Sequence, residues 1–417
     1  MTLNATRKPR FSPLAVFIGA VLLMDAIALG AVVQHIWSGH IATDWISFYT
    51  GGTLVRTGDA LHLYDAAAQT AVQQDLAGGL PVRAVGYPLP VFAALVIAPL
   101  TSLSFAASYT IWVAISICLL AVLLRLSWRW LEDVPEALRV VFLAGAVSVP
   151  ALNVLMQGQV DLFVLAGLVG CYALLRADKP FLGGSVLALA LFKPHLAAAV
   201  VLLLLVKGQW RALGGLAAAG VPLMLVPPLV LGPRLLADQV GLLLSYTSSS
   251  TDYQVAADVM INIRGTVASL TGSSNTWLWL PLLALIAAVA IAVAVRVWSA
   301  RPALHPQSWA LAFVLPLLYS PHVHMQSLVL LMPAAGLYLV VSQSSVRPIV
   351  EVKYALYGLV AVTLLWSLSL SGVALMSFLI MGLFTLFSRR WPVPAAQAVL
   401  PIPLHPPVTE RRLAIGA

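Results

Sequence analysis

The stretch 180-PFLGGSVLALALFKPHLAAAVVLLLLV-206 decides the architecture. Its only ionisable side chains are Lys193 and His195, which flank Pro194 at its middle. A helix needs about 20 apolar residues to cross a bilayer core about 30 Å thick, so this run is too long for one simple span. It reads as two short helices meeting at a polar break. Residues 307–342 repeat the design, interrupted by Ser320-Pro321-His322-Val323-His324.

Apolar runs fill the rest of the chain. They fall at Pro13–Val33 and near 88–124, 138–155, 160–176, 212–232, 277–295, 354–370 and 372–388. Only 9% of the 417 residues are Asp, Glu, Lys or Arg, against about 25% in a soluble domain. The mean hydropathy is +0.96, so too little polar surface exists to coat a soluble globule. The sequence therefore specifies an all-α polytopic membrane protein. The net charge of +8 lies in short basic clusters between apolar runs, which suits membrane topology and not nucleic acid. Cys118 and Cys171 fall in apolar stretches and read as buried free thiols.

Positive charge sets the sidedness. Residues 13–33 follow Arg7, Lys8 and Arg10 and read as a signal anchor with a cytoplasmic N-terminus. With one crossing by 88–124 and a hairpin tip at each polar break, about twelve spans result. Only Arg56, Arg83, Lys193, Arg234 and Arg264 of the 23 basic residues then lie outside. The chain divides into a cytoplasmic N-terminus (1–12), a transmembrane domain (13–390) and a Pro-rich cytoplasmic tail (391–417) that reads as disordered. The outer loops are about 34–87 and 233–276.

This topology places the unusual polar residues at the outer face. In loop 34–87, Trp45, Phe48, Tyr49, Leu54, Val55, Leu61 and Tyr64 suggest an amphipathic helix lying in the interface. Asp44 heads that segment. It is either a helix N-cap, the commoner task, or a general base whose pKa partial burial raises. Lys193 either snorkels to the interface or grips a phosphate, with His195 as a second donor. His322 and His324 suit phosphate contact or simple interfacial turn polarity. Asn262 and Arg264 could bind phosphate or sugar hydroxyls, or cap a helix. No metal-ligand spacing, Walker loop, dinucleotide fingerprint or Gly-x-Ser-x-Gly elbow is present, so neither metal nor cofactor is expected. A transporter would carry midplane charge and internal repeats; neither is found, and Asp25 is the only acid well inside a clear span.

An ordered set of markers resembles the GT-C class of integral-membrane glycosyltransferases, and most closely glycosyltransferase family 87. The set is Asp44 with Tyr49, Gly58…Leu63-Tyr64-Asp65, Tyr87-Pro88-Leu89-Pro90, Gly158-Gln159-Val160-Asp161, Gly183-Gly184…Lys193-Pro194-His195, Asn262…Arg264-Gly265 and Ser320-Pro321-His322. Asp161 stands where the family commonly has Asn, and Tyr87-Pro88-Leu89-Pro90 replaces a commoner Tyr-Pro-Pro. The resemblance implies a GT-C-like bundle with an outer-face active site in a bacterial plasma membrane. The donor it implies is a polyprenyl-phosphate-linked sugar, mannose at the family level, and the acceptor a glycolipid or glycan hydroxyl. Asp44 would be the general base of an inverting transfer, with Lys193, His195 and His322 on the donor phosphate. Tyr49, Tyr64, Asp65, Gln159, Asp161, Asn262, Arg264 and His324 would line the substrates. A flippase for a lipid-linked sugar, or an inactive envelope scaffold, is the competing reading.

Overall fold

A computed structural model describes residues 13–342 except 41–42, 80–83, 133, 136–138, 140–141, 144, 148, 248–256, 258–259 and 273–274. The segment 1–12 and the tail 391–417, both expected to be cytoplasmic, and the expected spans 354–370 and 372–388 lie outside the described residues. Among the described residues every regular element is helical.

The chain begins with α1 (Pro13–Trp37), α2 (Trp45–Arg56), α3 (Ala66–Leu76) and α4 (Val91–Ile97). A 3-10 segment (Ala98–Ser102) extends α4 and leads into α5 (Phe105–Trp130). The run 88–124 is thus one long helix preceded by a short apolar piece. Next come α6 (Val149–Gln157) and α7 (Asp161–Arg176), then α8 (Pro180–Leu187) with its 3-10 extension to Phe192, and α9 (Pro194–Val206). They are followed by α10 (Trp210–Leu231), α11 (Arg234–Thr247), α12 (Ile263–Thr271) and α13 (Thr276–Ser299). The chain continues through α14 (Pro306–Val314), α15 (Pro316–Tyr319), a 3-10 segment (Met325–Leu330) and α16 (Leu331–Ser342). Helices α5, α10 and α13 are long and apolar enough to cross a membrane on their own. The 91–102, 180–192, 194–206 and 325–340 pieces are shorter and apolar.

Proline sets the polar breaks. Pro180, Pro194, Pro306 and Pro316 each open a helix, where the missing N–H leaves no donor unpaired. Glycine sets the closeness of the hairpin. Gly184 packs against the Ala212 carbonyl and Gly215 against the Phe181 carbonyl, so a methyl group at either would collide with backbone. Small residues that let backbones meet are the usual glue between helices in lipid. This crossing puts the start of α8 level with the start of α10, which directly follows α9. The chain therefore turns back at Lys193, as the polar break predicts. Pro306 at the start of α14 and Pro333 and Leu337 in α16 line the same small cavity, so the second break is also a hairpin tip.

Two expectations change. Helix α2 is no interfacial helix: Trp45, Ile46, Ser47, Phe48, Tyr49, Thr50, Gly51, Gly52 and Leu54 are all buried. Gly51 lies against the Tyr87 ring and Gly52 against Ile97 and Thr101, so α4 and its extension cover the face that side chains would have kept apart. Leu61, read as part of the apolar stripe, is 52% exposed. Cys171 is buried as expected, but Cys118 is exposed on α5, where apolar surface can face lipid.

Candidate active site

Four chain turns meet at one end of the bundle. They are the entry to α2 at Asp44, the α6–α7 turn at 157–161, the α8–α9 tip at Lys193, and the 320–327 segment. Each has a local cause. Gly158 has φ +67°, the left-handed region, and a Cβ there would come within 3.0 Å of the Trp45 Cβ. Glycine alone satisfies both the turn and the contact. Trp45 is itself fixed: its ring stacks on Trp112 at 5.0 Å, and its Nε1 donates to Ser108 Oγ at 3.1 Å. Trp112 in turn stacks on Phe163 of α7. This aromatic ladder ties α2, α5 and α7 together directly behind Asp44.

Asp44 occupies the N-cap position of α2 without capping it by its side chain. Its carboxylate Oδ2 instead accepts from Gln159 Nε2 at 2.7 Å, and its backbone N–H donates to Gln157 Oε1 at 3.0 Å. Gln159 Oε1 accepts from Lys193 Nζ at 3.2 Å. Lys193 also donates to Asp161 Oδ2 at 2.6 Å, and Ser327 Oγ donates to Asp161 Oδ1 at 3.0 Å. The result is one chain of hydrogen bonds, Asp44–Gln159–Lys193–Asp161–Ser327, across four segments far apart in sequence. The ammonium has three protons, and two of them are directed at these partners. Burial pushes the Asp44 carboxyl above its ordinary range. The Gln159 hydrogen bond and the Lys193 charge oppose that shift, and the Asp161 charge adds to it.

The histidines stand beside this chain. His195 follows Pro194 at the start of α9, near the charges of Lys193 and Asp161, and its carbonyl accepts from Tyr319 Oη at 2.7 Å. His322 is close enough to Lys193, His195, Arg264 and His324 for their charges to act on it. Its ring meets His324 edge to face at 4.6 Å. The 260–265 segment is sewn onto this loop. Ile261 N–H donates to the Val323 carbonyl at 2.9 Å, and Asn262 Nδ2 donates to the Ser320 carbonyl at 2.9 Å. Asn262 also caps α12, accepting from Gly265 N–H at 3.0 Å. Arg264 is buried with its guanidinium 5.0 Å from the centroid of the Trp279 ring.

The structure thus gathers Asp44, Gln159, Asp161, Lys193, His195, Asn262, Arg264, His322 and His324. It does not bring Tyr49, Tyr64 or Asp65 into that chain. Tyr49 Oη donates to the Leu103 carbonyl at 2.8 Å and Tyr64 Oη to the Leu89 carbonyl at 2.9 Å. Asp65 caps α3, accepting from Ala68 N–H at 2.8 Å. These three brace the 45–103 region. Gln157 and Ser327 join the network although no sequence signal marked them as site residues. Gln157 immediately precedes the quoted Gly158–Asp161 turn. Ser327 lies outside every motif. Among the described residues no group of His, Cys, Asp or Glu could hold a metal ion.

The cluster offers a carboxylate of raised basicity next to cationic and imidazole groups. That set suits removal of a hydroxyl proton beside a departing anion. No curated protein and no solved structure matches the chain. A family model, glycosyltransferase family 87, matches residues 87–321. That segment holds the Gln159–Asp161 turn, Lys193, His195, Asn262 and Arg264, while Asp44, His322 and His324 fall outside it. As it spans more than half of the sequence, and as its residues form the core of this cluster, the chain belongs to glycosyltransferase family 87, an all-helical membrane enzyme that transfers a sugar.

Proposed function

We propose that the protein moves a sugar, mannose, from a polyprenyl-phosphate donor to a hydroxyl of a glycolipid or glycan acceptor. The reaction takes place at the extracytoplasmic face of a bacterial plasma membrane, in a bundle of about twelve spans. One observation carries the reading: Asp44, placed where a capping residue belongs, turns its carboxylate away from the helix and toward the Gln159–Lys193 chain.

In this scheme Asp44 takes the proton of the acceptor hydroxyl as that oxygen attacks the anomeric carbon. The new C–O bond forms on the face opposite the phosphate. The bond from the anomeric carbon to the phosphate oxygen breaks, and its electron pair leaves with the lipid phosphate. The β-linked phosphosugar becomes an α-glycoside. A phosphate needs no acid to depart, so one carboxylate suffices where glycosidases use two. Lys193 directs its third N–H at a phosphate oxygen. His195 and His322 flank it and steady the charge the phosphate gains, where fixed donors act most strongly. Because Asp161 balances the Lys193 charge, the histidines carry a larger share of the phosphate grip. Asn262, Arg264 and His324 line the sugar and acceptor from the 260–265 and 320–324 segments, with Gln159 and Asp161 beneath.

The test is a transfer assay in membranes. It uses radiolabelled polyprenyl-phosphate mannose, total envelope lipid extract as acceptor, and Asp44→Ala as the paired control. Label entering a new glycolipid with the wild type alone supports the reading. Equal transfer by Asp44→Ala removes the base from Asp44, and donor binding without transfer by the wild type favours a flippase.

A further inference from the structure

Gln159 stands between the two groups to which the proposed reaction gives opposite tasks. Its side-chain amide has one acceptor end and one donor end, and its neighbours leave no choice about which faces which. Lys193 Nζ can only donate, so Oε1 must face it, at 3.2 Å. The amide nitrogen then faces the Asp44 carboxylate, which accepts at Oδ2 from 2.7 Å. Lys193 is held in its turn by the buried Asp161, and Asp161 by Ser327. Gln159 itself is buried, at the turn that Gly158 makes possible. Every rotor in the chain is therefore fixed by its neighbour.

We propose that Gln159 is a positioning residue: it locks the Asp44 carboxylate through Oδ2, leaves Oδ1 as the proton acceptor, and couples that carboxylate to Lys193. This rests on the reading of Asp44 as the base. The consequence is mutual. A donor phosphate that draws Lys193 toward itself relaxes the pull on Gln159 Oε1, the amide N–H then donates less strongly to Oδ2, and the Asp44 carboxylate becomes more basic. Lys193 and Asp161 are the charged groups that act on Asp44 among the described residues, so the amide is the one neutral link between base and cation.

The test needs no substrate in its first arm. Purified full-length protein is titrated by infrared difference spectroscopy, and the carboxyl band that Asp44→Asn deletes is assigned to Asp44. In Gln159→Leu the midpoint of that band rises by about one pH unit or more, since a hydrogen bond to the ionised form is lost. An unmoved midpoint overturns the proposal. Should Gln159→Leu fail to fold, Gln159→Glu serves: it keeps the size and the acceptor for Lys193 but faces Asp44 with a like charge, and the midpoint again climbs. In the second arm, transfer from polyprenyl-phosphate mannose falls by about 10–100-fold in kcat with donor KM within about twofold. Loss confined to donor KM would make Gln159 a donor contact and overturn the positioning role. Full transfer by Asp44→Asn would strike the base assignment instead, while the infrared result still reads the Gln159 contact.

Discussion

Removing either partner of the Asp161–Lys193 pair leaves a charge stranded inside the bundle. The two side chains meet at 2.6 Å and are 1% and 14% exposed, so water neither screens the pair nor replaces a lost partner. Breaking a buried pair by deleting one side costs about 3–5 kcal/mol. Asp161→Ala and Lys193→Met should each destabilise by that amount, and the sum of the singles is about 6–10 kcal/mol. The double variant removes both charges and strands only the Gln159 Oε1 and Ser327 Oγ contacts. Those cost about 1–3 kcal/mol each, so the double should fall short of the sum by about 3 kcal/mol or more. Asp161→Asn retains an acceptor for Lys193 and should be the mildest of the set. The assay is equilibrium unfolding of the purified protein in mixed micelles with increasing SDS, read by tryptophan fluorescence. Additivity to within about 0.5 kcal/mol would refute the reasoning, because it would mean the two groups do not share a buried contact.

Three further outcomes follow from the same geometry. Burial raises the Asp44 pKa above its unfolded value of 3.8, so the folded state holds that proton more tightly than the unfolded chain does. The penalty is absent below 3.8, grows as pH rises toward the folded value and is complete above it. Asp44→Asn should therefore lose transfer yet melt higher than the wild type at pH 7.5, with the gap closing as the pH falls; a lower melting point at pH 7.5 would contradict this. Gly158→Ala forces a side chain into the left-handed region, at about 1–2 kcal/mol, and presses 3.0 Å from Trp45. Its kcat should fall at least about tenfold with donor KM little changed, and steady-state kinetics of a variant with wild-type turnover would show that the turn does not position Asp44. Gly184→Ala pushes α8 off the Ala212 carbonyl of α10, at or above the upper end of the about 1–3 kcal/mol that overpacking usually costs. Little monodisperse protein should survive extraction, whereas Gly214→Ala, with open space around its Cβ, should extract normally.

The sequence by itself determined the class and much of the layout. Long apolar runs with few charges can be satisfied only by helices in lipid, since no water is there to pair the backbone. Proline and polar residues in the middle of such runs mark where a helix must stop, which is why the breaks at Lys193 and at 320–324 were legible as hairpin tips. The family markers were legible for the same reason that the site exists: polar groups in a chain this apolar have few places to go. What only the tertiary structure decided was which of those groups meet. In sequence Asp44 reads more readily as a cap than as a base; in the structure its side chain leaves the helix end uncapped and accepts instead from the Gln159 amide, more than a hundred residues away. Tyr49, Tyr64 and Asp65 look like site residues in the same loop, yet main-chain groups claim their side chains. Ser327 carries no local signal, because a lone serine acquires meaning only when a buried carboxylate is brought to it. The burial of α2 was likewise illegible. Helix periodicity states which faces are apolar, but Gly51 and Gly52 make a bare face into a contact surface, and only the position of Tyr87 and Ile97 shows that it is filled.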